Sequence, residues 1–116
     1  MALLSTGPLT NEPVDGMRPT QQVTIKLDNR DPVNYSVVLL EGYVLNGTRS
    51  LYVQELFSIQ PDAVVTKKYP ANYDAFQFVF TTSGPAAGST EISFWGKGLS
   101  GQLLAAYRLV SNELQV

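Results

Sequence analysis

Ten Asp and Glu side chains, with no histidine and no cysteine, limit the chemistry open to this chain of 116 residues. Asp28, Asp31, Asp62 and Asp74 fall among turn-forming residues, so their carboxylates are expected to bond nearby backbone N–H groups. A calcium site would need several of them to converge, and no Asp-x-Asp-x-Asp spacing occurs. Glu41 and Glu55 flank a predicted hairpin and are the nearest approach to a glycosidase pair, although a cross-strand Lys or Arg explains each more simply. Gly96-Lys97-Gly98-Leu99-Ser100 has the ingredients of a phosphate loop but not its four-residue spacer or a following helix, and is rejected. Tyr43, Tyr52, Tyr69, Tyr73, Trp95 and Tyr107 could stack on a sugar, but their dispersal favours core and rim packing. Asn34-Tyr35-Ser36 and Asn46-Gly47-Thr48 match the glycosylation acceptor pattern, which has meaning only in a secretory pathway. Without Cys or His there are no disulfides, thiolate nucleophiles, usual zinc sites, Ser-His-Asp triads or imidazole bases. The expectation is a protein that is not an enzyme, with no catalytic, cofactor-binding or metal-binding residues.

Eight Lys and Arg leave a net charge of -2, and apart from Lys67-Lys68 they stand singly, so no nucleic-acid partner is expected. No apolar run approaches the roughly 18 residues of a membrane span. The start, Met1-Ala2-Leu3-Leu4-Ser5, lacks the basic region and long apolar run of a secretory signal. A protein of this kind that acts outside the cell leaves by another route.

Elements must position whatever chemistry remains, and their signals are those of short strands. Gln22 to Asp28 alternates Val23, Ile25 and Leu27 with Thr24, Lys26 and Asp28, a half-buried strand. Tyr35 to Leu45 follows the Asn29-Arg30-Asp31-Pro32 turn; its middle, Val37-Val38-Leu39-Leu40, is apolar on both faces, which predicts a strand covered on both sides. Asn46-Gly47 predicts a type I′ turn into Leu51–Ile59. Val64 to Tyr69 carries Lys67 and Lys68, an expected charged edge. Phe76, Phe78 and Phe80 share one strand face, and Glu91 to Lys97 and Gln102 to Val110 close the series. Gly101 to Asn112 also fits a helical stripe through Leu103, Leu104, Tyr107 and Val110, an alternative that stays open. The sum is an all-β, jelly-roll or immunoglobulin-like antiparallel sandwich of 7–8 strands, without fixed-period repeats.

Residues 1–19 are composed differently and read as an extended N-terminal connector arm to a sandwich domain of residues 20–116. Gly7-Pro8, Glu12-Pro13, Asp15-Gly16 and Arg18-Pro19 interrupt any regular element. Yet Ala2, Leu3, Leu4 and Leu9 are too apolar for a merely solvated tail. A strand donor fits: an extended segment that adds to a sheet edge of a neighbouring subunit, with its leucines filling a groove. The donor would be Ala2, Leu3, Leu4, Ser5, Thr6, Gly7, Pro8 and Leu9; Pro13, Gly16 and Pro19 would be the spacer that keeps the path extended. Contacts of this head-to-tail type grow filaments.

The runs Val23-Thr24-Ile25-Lys26-Leu27-Asp28-Asn29-Arg30-Asp31, Gly42-Tyr43-Val44-Leu45-Asn46-Gly47-Thr48-Arg49, Asp74-Ala75-Phe76-Gln77-Phe78-Val79-Phe80-Thr81-Thr82-Ser83-Gly84-Pro85 and Trp95-Gly96-Lys97 resemble the endospore appendage family of Bacillus-type bacteria. The resemblance implies a non-enzymatic, jelly-roll pilus subunit that assembles into extracellular fibres on the spore surface. Its partners would be copies of itself and spore-coat or exosporium anchor and tip proteins. It also implies release by lysis of the mother cell, which needs no signal peptide. The better-known family members cross-link through connector cysteines, whereas this chain has none, so its polymer would be non-covalent. The alternatives are a monomeric or small-oligomer carbohydrate-binding module using Trp95 and tyrosines, or a phage or virion decoration protein.

Overall fold

Period-two alternation dominates the computed structural model, which describes residues 2–107 and 109–111. The strands are β1 (Ala2–Ser5), β2 (Leu9–Thr10), β3 (Gln22–Asn29), β4 (Ser36–Leu45), β5 (Arg49–Ile59), β6 (Val64–Pro70), β7 (Ala75–Ser83), β8 (Thr90–Lys97), β9 (Leu103–Tyr107) and β10 (Val110–Ser111). A single 3-10 turn at Ala87–Ser89 is the one helical element among the described residues. A six-stranded sheet is ordered β10-β1-β7-β4-β5, with β2 also on β7, and a four-stranded sheet is ordered β6-β3-β8-β9. Every pairing is antiparallel. From β3 onward only β4–β5 and β8–β9 stay within a sheet; the other connections cross between sheets. This is the antiparallel sandwich that the sequence implies, with ten strands among the described residues in place of the expected seven or eight, because the first residues supply two strands, β1 and β2, and the last segment divides into β9 and β10.

The core forms because the apolar set of each strand meets its counterpart across the gap. Val23, Ile25 and Leu27 from β3 and Phe76, Phe78 and Phe80 from β7 are all fully buried. Phe94 of β8 bridges the sheets, its ring centroid 5.1 Å from that of Phe78 and 6.5 Å from that of Phe80. Each such ring contributes about 1.5–3 kcal/mol through burial alone. Gly42 lies in the middle of β4 because the Phe78 ring occupies the space of a side chain: a Cβ there would stand 2.8 Å from Phe78 Cε2 and 3.2 Å from Tyr52 Cε1. The β4–β5 ladder shifts register between Gly42 and Tyr43, where the bulge accommodates that close approach.

Several local expectations differ from the structure. Asn46-Gly47 is not a two-residue turn: Leu45 pairs with Arg49, three residues form the loop, and of these only Gly47 has positive φ, at 74°. The two-residue turn with positive φ at both positions is Asp15-Gly16, at 51° and 80°, between the bridged Val14 and Met17. Asp28 lies inside β3 rather than in a turn. The helical alternative at residues 101–112 gives way to β9 and β10, with residues 108 and 112 lying outside the described residues. β6 is an edge strand as expected, but of its two lysines only Lys68 is exposed; Lys67 turns toward β5. β4 has strands on both flanks, while its outward face has no covering layer among the described residues.

Candidate functional site

The donor residues occupy a slot in the molecule's own six-stranded sheet. β1 lies between β7 and β10, with Leu4 opposite Phe80 and Ser5 opposite Val79, and β2 rejoins β7 with Leu9 opposite Phe76. Leu4 and Leu9 thereby pack against the buried core, while Leu3 faces outward and Ala2 is exposed. The segment is extended, as its composition implies, and it is seated in cis rather than reaching away. The physical reason is proximity: a tethered strand meets its own slot at an effective concentration that a second copy matches only at high protein concentration.

Between the two contacts with β7 the chain takes one extra residue. Gly7, at φ 67°, and Pro8 form the bulge. Around it the Thr6 N–H donates to the Phe78 carbonyl (3.0 Å), the Phe78 N–H donates to Thr6 Oγ1 (3.1 Å), and Ser5 Oγ accepts from the Gly7 N–H (2.9 Å). Six of the eight expected donor residues, Leu3, Leu4, Ser5, Thr6, Gly7 and Leu9, are at least partly buried in this slot.

Asn11 fastens the end of the segment. Its side chain is buried, and Nδ2 donates to the carbonyls of Thr20 (2.7 Å), Ala71 (3.0 Å) and Tyr73 (3.0 Å) while Oδ1 accepts from the Thr20 N–H (2.9 Å). The spacer residues Pro13, Gly16 and Pro19 therefore do not run straight. They lie on an exposed excursion whose ends Asn11 draws together, turned back at Asp15-Gly16 and pinned by Arg18 to Asp74 at 2.8 Å. Nothing in Thr10-Asn11-Glu12-Pro13 announced this clasp, because two of its partners lie sixty or more residues away.

The other candidates separate. Glu41 and Glu55 stand on opposite faces of their sheet, Glu41 accepting from the Tyr43 hydroxyl at 3.1 Å and Glu55 accepting from Lys67 at 3.0 Å and from the Tyr69 hydroxyl. Those two donors, Tyr69 foremost, hold the Glu55 carboxyl below its ordinary range, while burial followed by the Glu55 contact pushes the Tyr69 phenol up. The cluster sews edge strand β5 to edge strand β6, helped by the Tyr52 hydroxyl on the Pro70 carbonyl at 2.8 Å. Asp31 accepts from the Val33 and Asn34 N–H groups, and these bonds hold its carboxyl below the ordinary range. Among the described residues no cluster of three or more acidic, His or Cys side chains could hold a metal.

The expected aromatic platform is likewise divided. Tyr52, Tyr69 and Tyr73 gather around Phe78 and the seam, and Tyr43 lies under Arg49 on the far face. Trp95 alone shares the outer face of the four-stranded sheet, next to Thr24, and the Tyr107 side chain lies outside the described residues. β9 accompanies only Phe94–Lys97, so one backbone edge of Thr90–Ser93 has no strand partner among the described residues. A cleft of about 760 Å³ opens there, with Leu4, Phe94 and Leu109 on its inner side and Lys26, Asp28 and Trp95 on its outer side.

No family model and no curated protein matches the chain. Among solved structures, an Anabaena sensory rhodopsin transducer is similar at a TM-score of 0.48 and 12% identity, over 90% of this chain and 93% of that one. A family 16 carbohydrate-binding module-2 is similar at a TM-score of 0.27 and 11% identity, over 79% of this chain and 62% of that one. What this chain binds does not follow from either likeness.

Proposed function

We propose that the chain is a non-enzymatic structural subunit whose N-terminal strand passes from one copy into the slot of the next, building a filament without covalent cross-links. The observation that carries the reading is the seating of β1 between β7 and β10. β1 and β2 add to one sheet while the next strand, β3, lies in the other, and the two parts are joined only through an exposed excursion. The same hydrogen bonds and the same Leu4 and Leu9 contacts can therefore be made by a neighbour's strand. Released from its hairpin, the stretch of residues 12–19 spans up to about 26 Å, room enough for an adjacent copy. Exchange of this kind is head-to-tail and leaves a free slot at one end, so it propagates. The resemblance to endospore appendage subunits extends the reading to a fibre on the spore surface, built from copies of this chain and attached through coat or exosporium proteins.

Negative-stain electron microscopy of the full-length protein, with and without a large excess of a synthetic peptide of residues 1–10, tests this. Filaments that shorten or vanish with the peptide are the expected result. Dispersed particles at every concentration, or filaments indifferent to the peptide, would overturn it.

One observation favours a second reading, a carbohydrate-binding module: Trp95 lines the 760 Å³ cleft beside Lys26 and Asp28, whose side chains offer hydrogen bonds to a stacked sugar. That reading expects a monomer retained on a polysaccharide column, and loss of retention in Trp95→Ala.

A further inference from the structure

The face of the six-stranded sheet that points away from the core is unusual in its residues. In register across four strands lie Leu3, Thr81, Leu39 and Leu56. The next row holds Ser5, Val79, Glu41 and Gln54, and the row on the other side holds Ser83, Val37 and Ser58. Leu56 is 71% exposed, and Leu3, Val37 and Leu39 are half-buried. Glu41 is the single acidic or basic residue in the three rows, and its carboxylate already accepts from the Tyr43 hydroxyl. The outer face of the four-stranded sheet differs: Lys26, Asp28, Lys68, Glu91 and Lys97 all project from it. The two-sided apolar pattern of β4 is that of a strand covered on both faces. In the single chain only one cover is described.

We propose that this outer face is where two copies of the chain pack back to back about a two-fold axis, with Leu39 and Thr81 near the centre. A second copy presenting the same face is the occupant that fits. Docking on the four-stranded face would strip water from three lysines and two acids with one carboxylate to answer them. Packing the nearly uncharged face on itself buries its leucines and valines and brings in a single carboxylate per copy, Glu41, which keeps its bond from the Tyr43 hydroxyl. Facing sheets pack about 10 Å apart at about 30°, which lets the rows interdigitate. Four strand widths of about 4.8 Å by three outward positions along β4, each about 6.8 Å, give a patch on the order of 20 Å by 20 Å. Two such patches total roughly 800 Å², below the ~1,200–2,000 Å² of stable complexes, so the contact is reversible and concentration-dependent. It is independent of strand exchange, because Leu3 takes its place in the row whether its strand belongs to the same copy or to a neighbour.

The absence of native cysteine makes the test direct. In the full-length protein, Leu39→Cys is treated with a short bismaleimide cross-linker beside Lys26→Cys on the opposite face, and sedimentation equilibrium compares the wild type with Leu56→Glu. The geometry expects covalent dimers from Leu39→Cys and few from Lys26→Cys, a reversible wild-type association, and a dimer dissociation constant raised at least about tenfold by placing a carboxylate in the contact. Leu56 is exposed enough for that substitution to leave the fold intact. Equal cross-linking at the two positions overturns the proposal, as does a monomeric wild type. An association unchanged by Leu56→Glu overturns it too, including one that excess peptide of residues 1–10 dissolves, since that would be strand exchange alone.

Discussion

Two buried asparagines at opposite ends of β3 perform the same local chemistry with different reach. Asn29 donates from Nδ2 to the carbonyls of Asn34 (2.9 Å), Ile59 (3.1 Å) and Gln60 (3.2 Å) and accepts on Oδ1 from the Asp31 N–H (3.0 Å). Asn11 serves three carbonyls and one N–H in the same way. What differs is the chain that each one ties. Asn29 joins the β3–β4 loop to the end of β5, segments that have no other place to go. Asn11 joins the terminal segment to the loop after β6 and to its own hinge at Thr20. If β1 moves to a neighbour, Asn11 travels with it and its four bonds can re-form there with the acceptor's Thr20, Ala71 and Tyr73, so the clasp must open before the strand can be exchanged. One clasp supports the body of the sandwich; the other sets how readily its first strand leaves.

Removing the amide at each end breaks the comparison where it matters most. Asn29→Ala leaves buried carbonyls without a donor and is expected to cost about 3 kcal/mol of global stability, at about 1–3 kcal/mol for each group left bare. Chemical denaturation should show a lower midpoint with the slope unchanged. Asn11→Ala should cost less globally, about 1–2 kcal/mol, because the freed segment can fray while the rest stays folded. Its signature is local: hydrogen exchange at residues 2–10 accelerates well beyond that at β7 and β8. Equal global losses with no selective fraying of β1 would show that the two clasps are equivalent, and would remove the special status of the N-terminal end.

A smaller effect sharpens the same contrast. Gly16 sits at φ 80° in the hairpin that takes up the hinge, with nothing near enough to obstruct a Cβ. Gly16→Ala strains only the backbone, by roughly 1 kcal/mol. Thermal denaturation should register little, while exchange of β1 between copies, followed by mixing mass-labelled protein, should quicken. Under the strand-exchange reading, loosening the hairpin releases length to the hinge.

The way these residues read in the sequence follows from how far their partners lie. The alternation of Val23, Ile25 and Leu27 and of the three phenylalanines was legible because facing the core is decided within each strand. The apolar character of Leu4 and Leu9 was legible too, and both do meet the core. Their slot was not, since it depends on the register of β1 against β7, more than seventy residues on. Dipeptide turn signals ranked Asn46-Gly47 above Asp15-Gly16, but the Leu45–Arg49 pairing assigns the former a three-residue loop. The same limit applies to β4: its two-sided apolar run expresses a need for cover that no local pattern can assign to a partner.

The smallest expected effect comes from the seam between the two ends. The Tyr69 hydroxyl and the Lys67 ammonium, at 3.0 Å, both favour ionised Glu55, so its pKa in the folded protein lies below the ordinary 4.5. A carboxyl lowered in this way contributes stability that is complete above its unfolded value and is lost as pH falls through its folded value. Side chains this exposed, 38% for Glu55 and 24% for Lys67, keep the contribution under about 1 kcal/mol. Acidification from pH 6 to 3 should therefore lower the melting temperature slightly more in the wild type than in Glu55→Gln, which has no proton to gain. Because Glu55 lies near the middle of β5 and Lys67 in the middle of β6, the seam should loosen at both ends together. The ratio of hydrogen exchange at β1 to that at the β3–β4 loop is thus expected to stay constant on acidification. A rise in that ratio would mean that the terminal strand is held by the seam as much as by Asn11.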